Sequence, residues 1–159
     1  MPRLQSAGVL AFRRRNGEIE VFLVHPGGPF WQRKDDGAWS IPKGEIGENE
    51  APETAARREF AEETGLVLPE PLIALTPIVQ SRSKVVHPFA VEAELDPDAL
   101  ESNTFTAEWP PRSGVMREFP EADRAAWFSI ADAHRKILAG QRSVLTELVE
   151  RLNRTACRA

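Results

Sequence analysis

Glu59, Glu62 and Glu63 stand at i, i+3 and i+4, a spacing that places three carboxylates over one turn of a helix. Like charges so placed repel by roughly a few tenths of a kcal/mol per pair, so a compensating partner is expected. The surrounding stretch from Ile41 to Leu66 holds seven Glu against three basic side chains. Arg58 can answer Glu62, and Arg57 can answer Glu53, each at i,i+4, so arginine compensates only in part. Hard carboxylate oxygens close together suit Mg²⁺ or Mn²⁺, and neither Cys nor His occurs in the stretch to point to zinc. A solvated helix face is the plain alternative for any acidic helix.

The wider pattern argues against that alternative. From Gly44 the residues fit G-x5-E-x7-R-E-U-x-E-E-x-G-U, with U apolar, at Gly44, Glu50, Arg58, Glu59, Phe60, Glu62, Glu63, Gly65 and Leu66. Ordinary residue frequencies give such a match in about 10⁻⁷ of chains this long. This is the Nudix box, and over residues 44–66 the chain resembles the Nudix hydrolase family. The resemblance implies an α+β fold, the Nudix α/β/α sandwich with a mixed β-sheet, and Mg²⁺-dependent cleavage of a pyrophosphate bond in a nucleoside diphosphate linked to another group. It implies Glu59, Glu62 and Glu63 as metal ligands, with the carbonyl of Lys43 as an extra ligand. Glu50 and Arg58 are then a pair bracing the loop against the helix, and Gly44 and Gly65 serve backbone geometry. A general base comes from the helix glutamates, Glu62 or Glu63, or from outside the box. In the family that outside Glu lies on the loop before a late strand carrying Trp, which selects Glu121, six residues before Trp127, with Glu118 as the alternative.

Electrostatics agrees, since a polyphosphate approaches seven Glu only with cations bridging carboxylate and phosphate oxygens. The preface "WSIPKGE" carries Pro-Lys-Gly where many relatives have Pro-Gly-Gly. It resembles members acting on dinucleoside polyphosphates, diphosphoinositol phosphates and some nucleoside triphosphates. Lys43 is thus a candidate phosphate contact, joined by Arg33, Lys34, Lys84, Arg112 and His87. Trp31, Trp39 and Trp109 flank these loops and could stack a purine. The chain has no Tyr, so the downstream Tyr of many dinucleoside polyphosphate hydrolases is missing. The substrate is expected to be a nucleoside triphosphate or a dinucleoside polyphosphate. The rival is a Nudix-fold module that senses a nucleotide without cleaving it; an isomerase on the same scaffold would want a reactive Cys in the site.

These residues need elements to position them. "SAGVLAFRR" and "IEVFLVH" read as antiparallel strands around the turn "RNG". The Gly- and Pro-rich loop from Pro26 to Ala38 suits ligand capture. A helix is expected from about Glu50 to Thr64, capped by Asn49 and closed by Gly65, with Ala55, Ala56 and Phe60 facing the core. "LIALTPIV" and "KVVHPFAVEAEL" read as strands, the latter with Phe89, Val91, Ala93 and Leu95 on one face. Trp109 to Asp123 reads as a long loop, "RAAWFSI" as a returning strand, and the remainder as two helices.

A length of 159 residues suits one domain, 1–159, with a polar tail from about residue 154. The net charge of −4 lacks the basic excess of a nucleic-acid footprint, so a phosphorylated small molecule, and neither nucleic acid nor membrane, is the expected partner. Oligomeric state is left open. Apolar runs near the N-terminus are too short for a signal core. The one cysteine, Cys157, reads as an incidental tail thiol, and together these point to the cytoplasm.

Overall fold

The computed structural model of the chain describes residues 3–157, with side chains through residue 155. It opens on a hairpin in which β1 (Leu4–Arg15) turns into β2 (Glu18–Pro26). Asn16 and Gly17 both take positive φ, 52° and 80°, the conformation a two-residue turn between twisted strands requires. β1 pairs with β2 through Phe12 to Arg15 and with β3 (Lys43–Glu45) through Ser6 to Gly8. Its other edge runs parallel to β6 (Lys84–Glu92) from Leu4 to Phe12. β4 (Ile73–Ala74) and β5 (Ile78–Ser81) border β6, and β9 (Ala122–Ser129) closes the far side against β2. The result is a mixed sheet of seven strands.

Alternation along the central strands feeds two cores. Ala7, Val9, Ala11, Phe22 and Val91 face α1 (Pro52–Thr64), whose Ala55, Ala56 and Phe60 are fully buried. Leu10, Phe12, Val21, Leu23 and Val86 face the opposite way. They meet α2 (Ile130–Lys136) through Ala133 and α3 (Arg142–Cys157) through Val144, Leu145 and Leu148. This is the expected α/β/α sandwich, and burial of each large apolar side chain stabilises it by about 1.5–3 kcal/mol. Among the described residues no helix is long and apolar enough to cross a membrane.

Several boundaries differ from the sequence reading. α1 starts at Pro52 with Ala51 as its extended N-cap, while Asn49 turns left-handed at φ 59°. Proline pushes the residue before it out of the helical region, which moves the start past Asn49. Gly65 does close the helix, at φ 70° with its N–H on the Ala61 carbonyl. The Leu66 N–H goes to the Thr64 hydroxyl, so a side chain replaces one bond of a Schellman cap. "LIALTPIV" is broken into β4 and β5 around Thr76-Pro77. Ala90 is as buried as its neighbours, because β6 lies inside the sheet with helices on both sides. The segment from Trp109 to Asp123 is not one loop. Its Met116–Pro120 forms β8, paired antiparallel with β7 (Thr104–Glu108) in a separate two-stranded sheet. The stretch read as a tail from about 154 continues α3 to Cys157; the Cys157 thiol lies outside the described side chains.

Candidate functional site

β3 crosses the box helix where their side chains must interlock. A Cβ on Gly44 would overlap the Glu59 carboxylate, so glycine leaves the space that this carboxylate fills. One residue earlier, the Lys43 N–H donates to Oε2 of Glu63 at 2.6 Å. Arg58 grips Glu50 with two bonds, Nε to Oε2 and Nη2 to Oε1, both 2.9 Å. Its Nη2 also donates to the Glu45 carbonyl at 3.0 Å, and Gly47 N–H to Glu50 Oε1 at 2.8 Å. A bidentate guanidinium with further backbone bonds fixes the loop on the helix.

Arg58 does more than brace. Its Nη1 reaches Glu59 Oε1 at 2.7 Å and Glu62 Oε2 at 3.2 Å. Among the described residues no three acidic, imidazole or thiol groups form a ready cation cage. The Arg58 bonds and Gly47 hold the Glu50 carboxyl down at about 2. Glu63 goes the other way: burial pushes its carboxyl up to about 8, with the Glu121 and Glu59 charges adding and Lys43 opposing. Burial also raises Glu59, against the pull of Arg58. Burial and the adjacent Lys84 ammonium lower Lys43. The site thus concentrates oxygen donors that are poorly compensated in the fold itself.

Glu63, Lys43 and Glu121 line one cavity of about 310 Å³, with Val24, Trp31, Ser40 and Gln80 among its other walls. The bend between β8 and β9 delivers Glu121. Gly27 N–H donates to its carbonyl at 2.9 Å, and a Cβ on Gly27 would overlap the Pro120 carbonyl, so the loop after β2 reaches Glu121 only as glycine. Glu118 sits exposed on β8 and does not line the cavity.

The remaining candidates divide. Trp31 forms a wall, with the Lys34 ammonium 5.3 Å from its ring centre, and Lys84 lies beside Lys43. Arg33 is exposed on the same loop. Arg112 falls in the β7–β8 turn, its N–H on Glu108, and does not line the cavity, because the hairpin carries it elsewhere. His87 is committed to Gln5 at 2.7 Å and is not a lining residue. Trp39 is 4% exposed and gives its indole N–H to Asp35, so it is core and offers no stacking face; Trp109 meets Phe30 edge-on. Sequence reasoning missed Gln141. Fully buried, it accepts from Ile41 N–H and donates to Ser40 and Gln80, each at 3.0 Å. It thereby ties Ser40 and Ile41, which lead into the box, to β5, and nothing local in "LAGQRS" signals that.

The NUDIX domain family profile matches residues 2–148. The chain is similar to the "Octanoyltransferase" of Myxococcus xanthus, 29% identical over 86% of this chain and 34% of that one. It is 36% identical to the RNA pyrophosphohydrolase of Bartonella henselae over 42% of this chain and 38% of that one. The chain therefore spans about a third of the length of these curated relatives. Among solved structures, a C. elegans Ap4A hydrolase binary complex superposes with a TM-score of 0.66 at 22% identity, covering 94% of this chain and 98% of the other.

Proposed function

Since the chain belongs to the NUDIX domain family, we propose that it is a pyrophosphohydrolase that cleaves a phosphoanhydride bond in a nucleoside triphosphate or a dinucleoside polyphosphate. The observation that carries this reading is the cavity where Glu63, Glu121 and Lys43 meet. Likeness to an RNA pyrophosphohydrolase and to an Ap4A hydrolase fold supports the same bond type. The chain acts as one domain, and its single cysteine suits a reducing cytoplasm.

A magnesium-type cation fits the donors: they are all oxygen, and burial together with neighbouring carboxylates raises Glu63 and Glu59 against the pull of Lys43 and Arg58. Glu59, Glu62, Glu63 and the Lys43 carbonyl would hold it. When bound, Mg²⁺ or Mn²⁺ neutralises charge between carboxylate and phosphate oxygens and acidifies water. The Lys43 and Lys84 ammoniums draw in the phosphate chain, and Trp31 offers a face to the base. Glu121 accepts the proton as a water oxygen bonds to phosphorus and the bridging P–O bond breaks, the electron pair leaving with the departing phosphate. Glu63 stays anchored by the Lys43 N–H at 2.6 Å.

One observation favours the rival sensor: Arg58 occupies Glu59 and Glu62, so no cation cage is preformed among the described residues. Phosphate release decides between them. ATP, diadenosine tetraphosphate, ADP-ribose and 5′-triphosphorylated RNA are assayed with Mg²⁺ and with EDTA, using wild type, Glu63→Gln and Glu121→Gln. Release that needs Mg²⁺ and falls in both variants is expected. Turnover surviving EDTA and both substitutions would sink the mechanism, and tight binding with no turnover would establish the sensor.

A further inference from the structure

His25, one residue before the end of β2, is wholly buried, at 0% exposure, and both ring nitrogens are engaged. Nδ1 meets Asp123 Oδ1 at 2.8 Å and Nε2 meets the Lys34 carbonyl at 2.6 Å. A carboxylate and a carbonyl only accept, so the two bonds are made together only by a ring bearing two N–H groups. Trp39 packs against the ring in a T-shaped pair, 5.2 Å between centres. The other charged groups around it are already paired. Arg124 lies 3.7 Å from Asp123 and over the Trp39 ring, and Lys136 of α2 holds Asp35, which takes the Trp39 indole N–H.

The two anchors lead to two residues that line the cavity, Trp31 and Glu121. Lys34 closes a turn through its N–H to the Trp31 carbonyl at 3.0 Å, and its ammonium lies over the Trp31 ring. Asp123 stands two residues after Glu121. We propose that His25 is a positioning residue that fastens the 31–38 loop to the strand delivering Glu121, setting the Trp31 wall against the Glu121 wall where the nucleotide enters. This rests on the cavity being the substrate site, but the fastening itself can be read without substrate.

The two ends of the ring can be tested separately. His25→Gln keeps an amide donor near the Nε2 position that reaches Lys34; His25→Asn keeps one near Nδ1 that reaches only Asp123. Full-length variants are compared for tryptic cleavage after Arg33 and Lys34 and for kinetics on ATP and diadenosine tetraphosphate. His25→Asn should be cleaved about tenfold faster and show KM raised about tenfold with kcat within about twofold, while His25→Gln, which keeps the Lys34 bond and loses the Asp123 one, stays near wild type in cleavage and shows KM raised about threefold. Equal cleavage in wild type and both variants, or a loss confined to kcat, would overturn the proposal. Should the variants not fold, the nitrogen-15 spectrum of the wild-type ring decides: two N–H signals support the tether, and one bare nitrogen overturns it. Fast cleavage of His25→Asn in a protein that turns over no nucleotide keeps the tether and removes the catalytic reading. Unchanged cleavage in an active enzyme removes the tether alone.

Discussion

Glu63→Gln should stabilise the cation-free protein at alkaline pH and leave it unchanged in mild acid. An acid whose pKa is raised by folding binds its proton more tightly in the folded chain than in the unfolded one. The stabilisation is therefore complete below the unfolded value of 4.5 and is lost as pH climbs through about 8. Above that, the fold holds an ionised carboxylate in a pocket that disfavours it. A rise from 4.5 to about 8, at about 1.4 kcal/mol per pH unit, sets a ceiling of about 5 kcal/mol. Water at the mouth of the cavity screens this partly exposed group, and about 2–3 kcal/mol is the working figure. For a chain of 159 residues that is about 4–12 °C in Tm. Glutamine is neutral and nearly isosteric, and its amide oxygen can still accept from the Lys43 N–H. Calorimetry in EDTA between pH 5 and pH 9 makes the comparison. The two melting curves should nearly meet at pH 5, separate progressively as pH rises to about 8 with the variant higher, and keep a constant gap above that, and excess Mg²⁺ should close the gap by raising wild type alone. Glu121→Gln should shrink the gap and end its growth at a lower pH, because it removes one of the charges that raise Glu63. Parallel curves across the whole range would refute the reasoning, since they would mean that Glu63 is as comfortable ionised in the fold as in water.

Gly44→Ala should cost little stability, because the group it overlaps is the flexible end of Glu59, yet turnover should fall about 10²-fold as that carboxylate is displaced; melting and phosphate release measured together check both halves. Gln141→Leu removes three hydrogen bonds and orphans the buried Ile41 N–H, so urea unfolding should show a loss of about 2–4 kcal/mol at constant slope. Glu50, lowered to about 2 by Arg58, contributes stability that is present above the unfolded value of 4.5 and lost as pH falls toward 2. Acid titration followed by circular dichroism should therefore show a shallower decline between pH 4.5 and pH 2 in Glu50→Gln than in wild type.

The parts of the site legible from sequence were those whose spacing is itself the geometry. Three carboxylates at i, i+3 and i+4 share a helix face whatever the helix packs on, and Glu50 and Arg58 meet within one box. Glu121 was singled out by what the resemblance implies, a Glu on the loop before a late strand carrying Trp, and it lines the cavity with Glu63. The central hairpin was equally local, since Asn16-Gly17 dictates the turn and the turn dictates the register. What stayed hidden depends on pairings between distant residues. β7 and β8 are short, exposed and rich in polar residues, so neither carries the apolar alternation that marks a strand. Once they pair, the hairpin removes Arg112 from the site where a floppy loop would have allowed it. His87 and Trp39 failed as ligand groups for a related reason: each had a nearer partner, Gln5 and Asp35, that no spacing rule identifies.

The same distinction explains why the supporting residues matter as much as the glutamates. A helix of acidic residues is a common object, and its repulsion alone gives no direction to a phosphate. Direction comes from groups drawn in over long stretches of chain: Lys43 held by its own N–H to Glu63, Gln141 a hundred residues from Ile41, and His25 joining Lys34 to Asp123. Lys43 ties β3 to α1, Gln141 ties Ser40 and Ile41 to β5, and His25 ties Lys34 to β9, so none of these segments can drift without breaking a hydrogen bond. On the proposed function, the box would supply the charge and these remote ties would set where a substrate lies to meet it. Substitutions in the box should therefore act mainly on kcat and substitutions in the ties mainly on KM, a split that steady-state kinetics of Glu63→Gln against His25→Asn reads in one experiment. If both fell on kcat alone, the loops would have no part in placing the substrate.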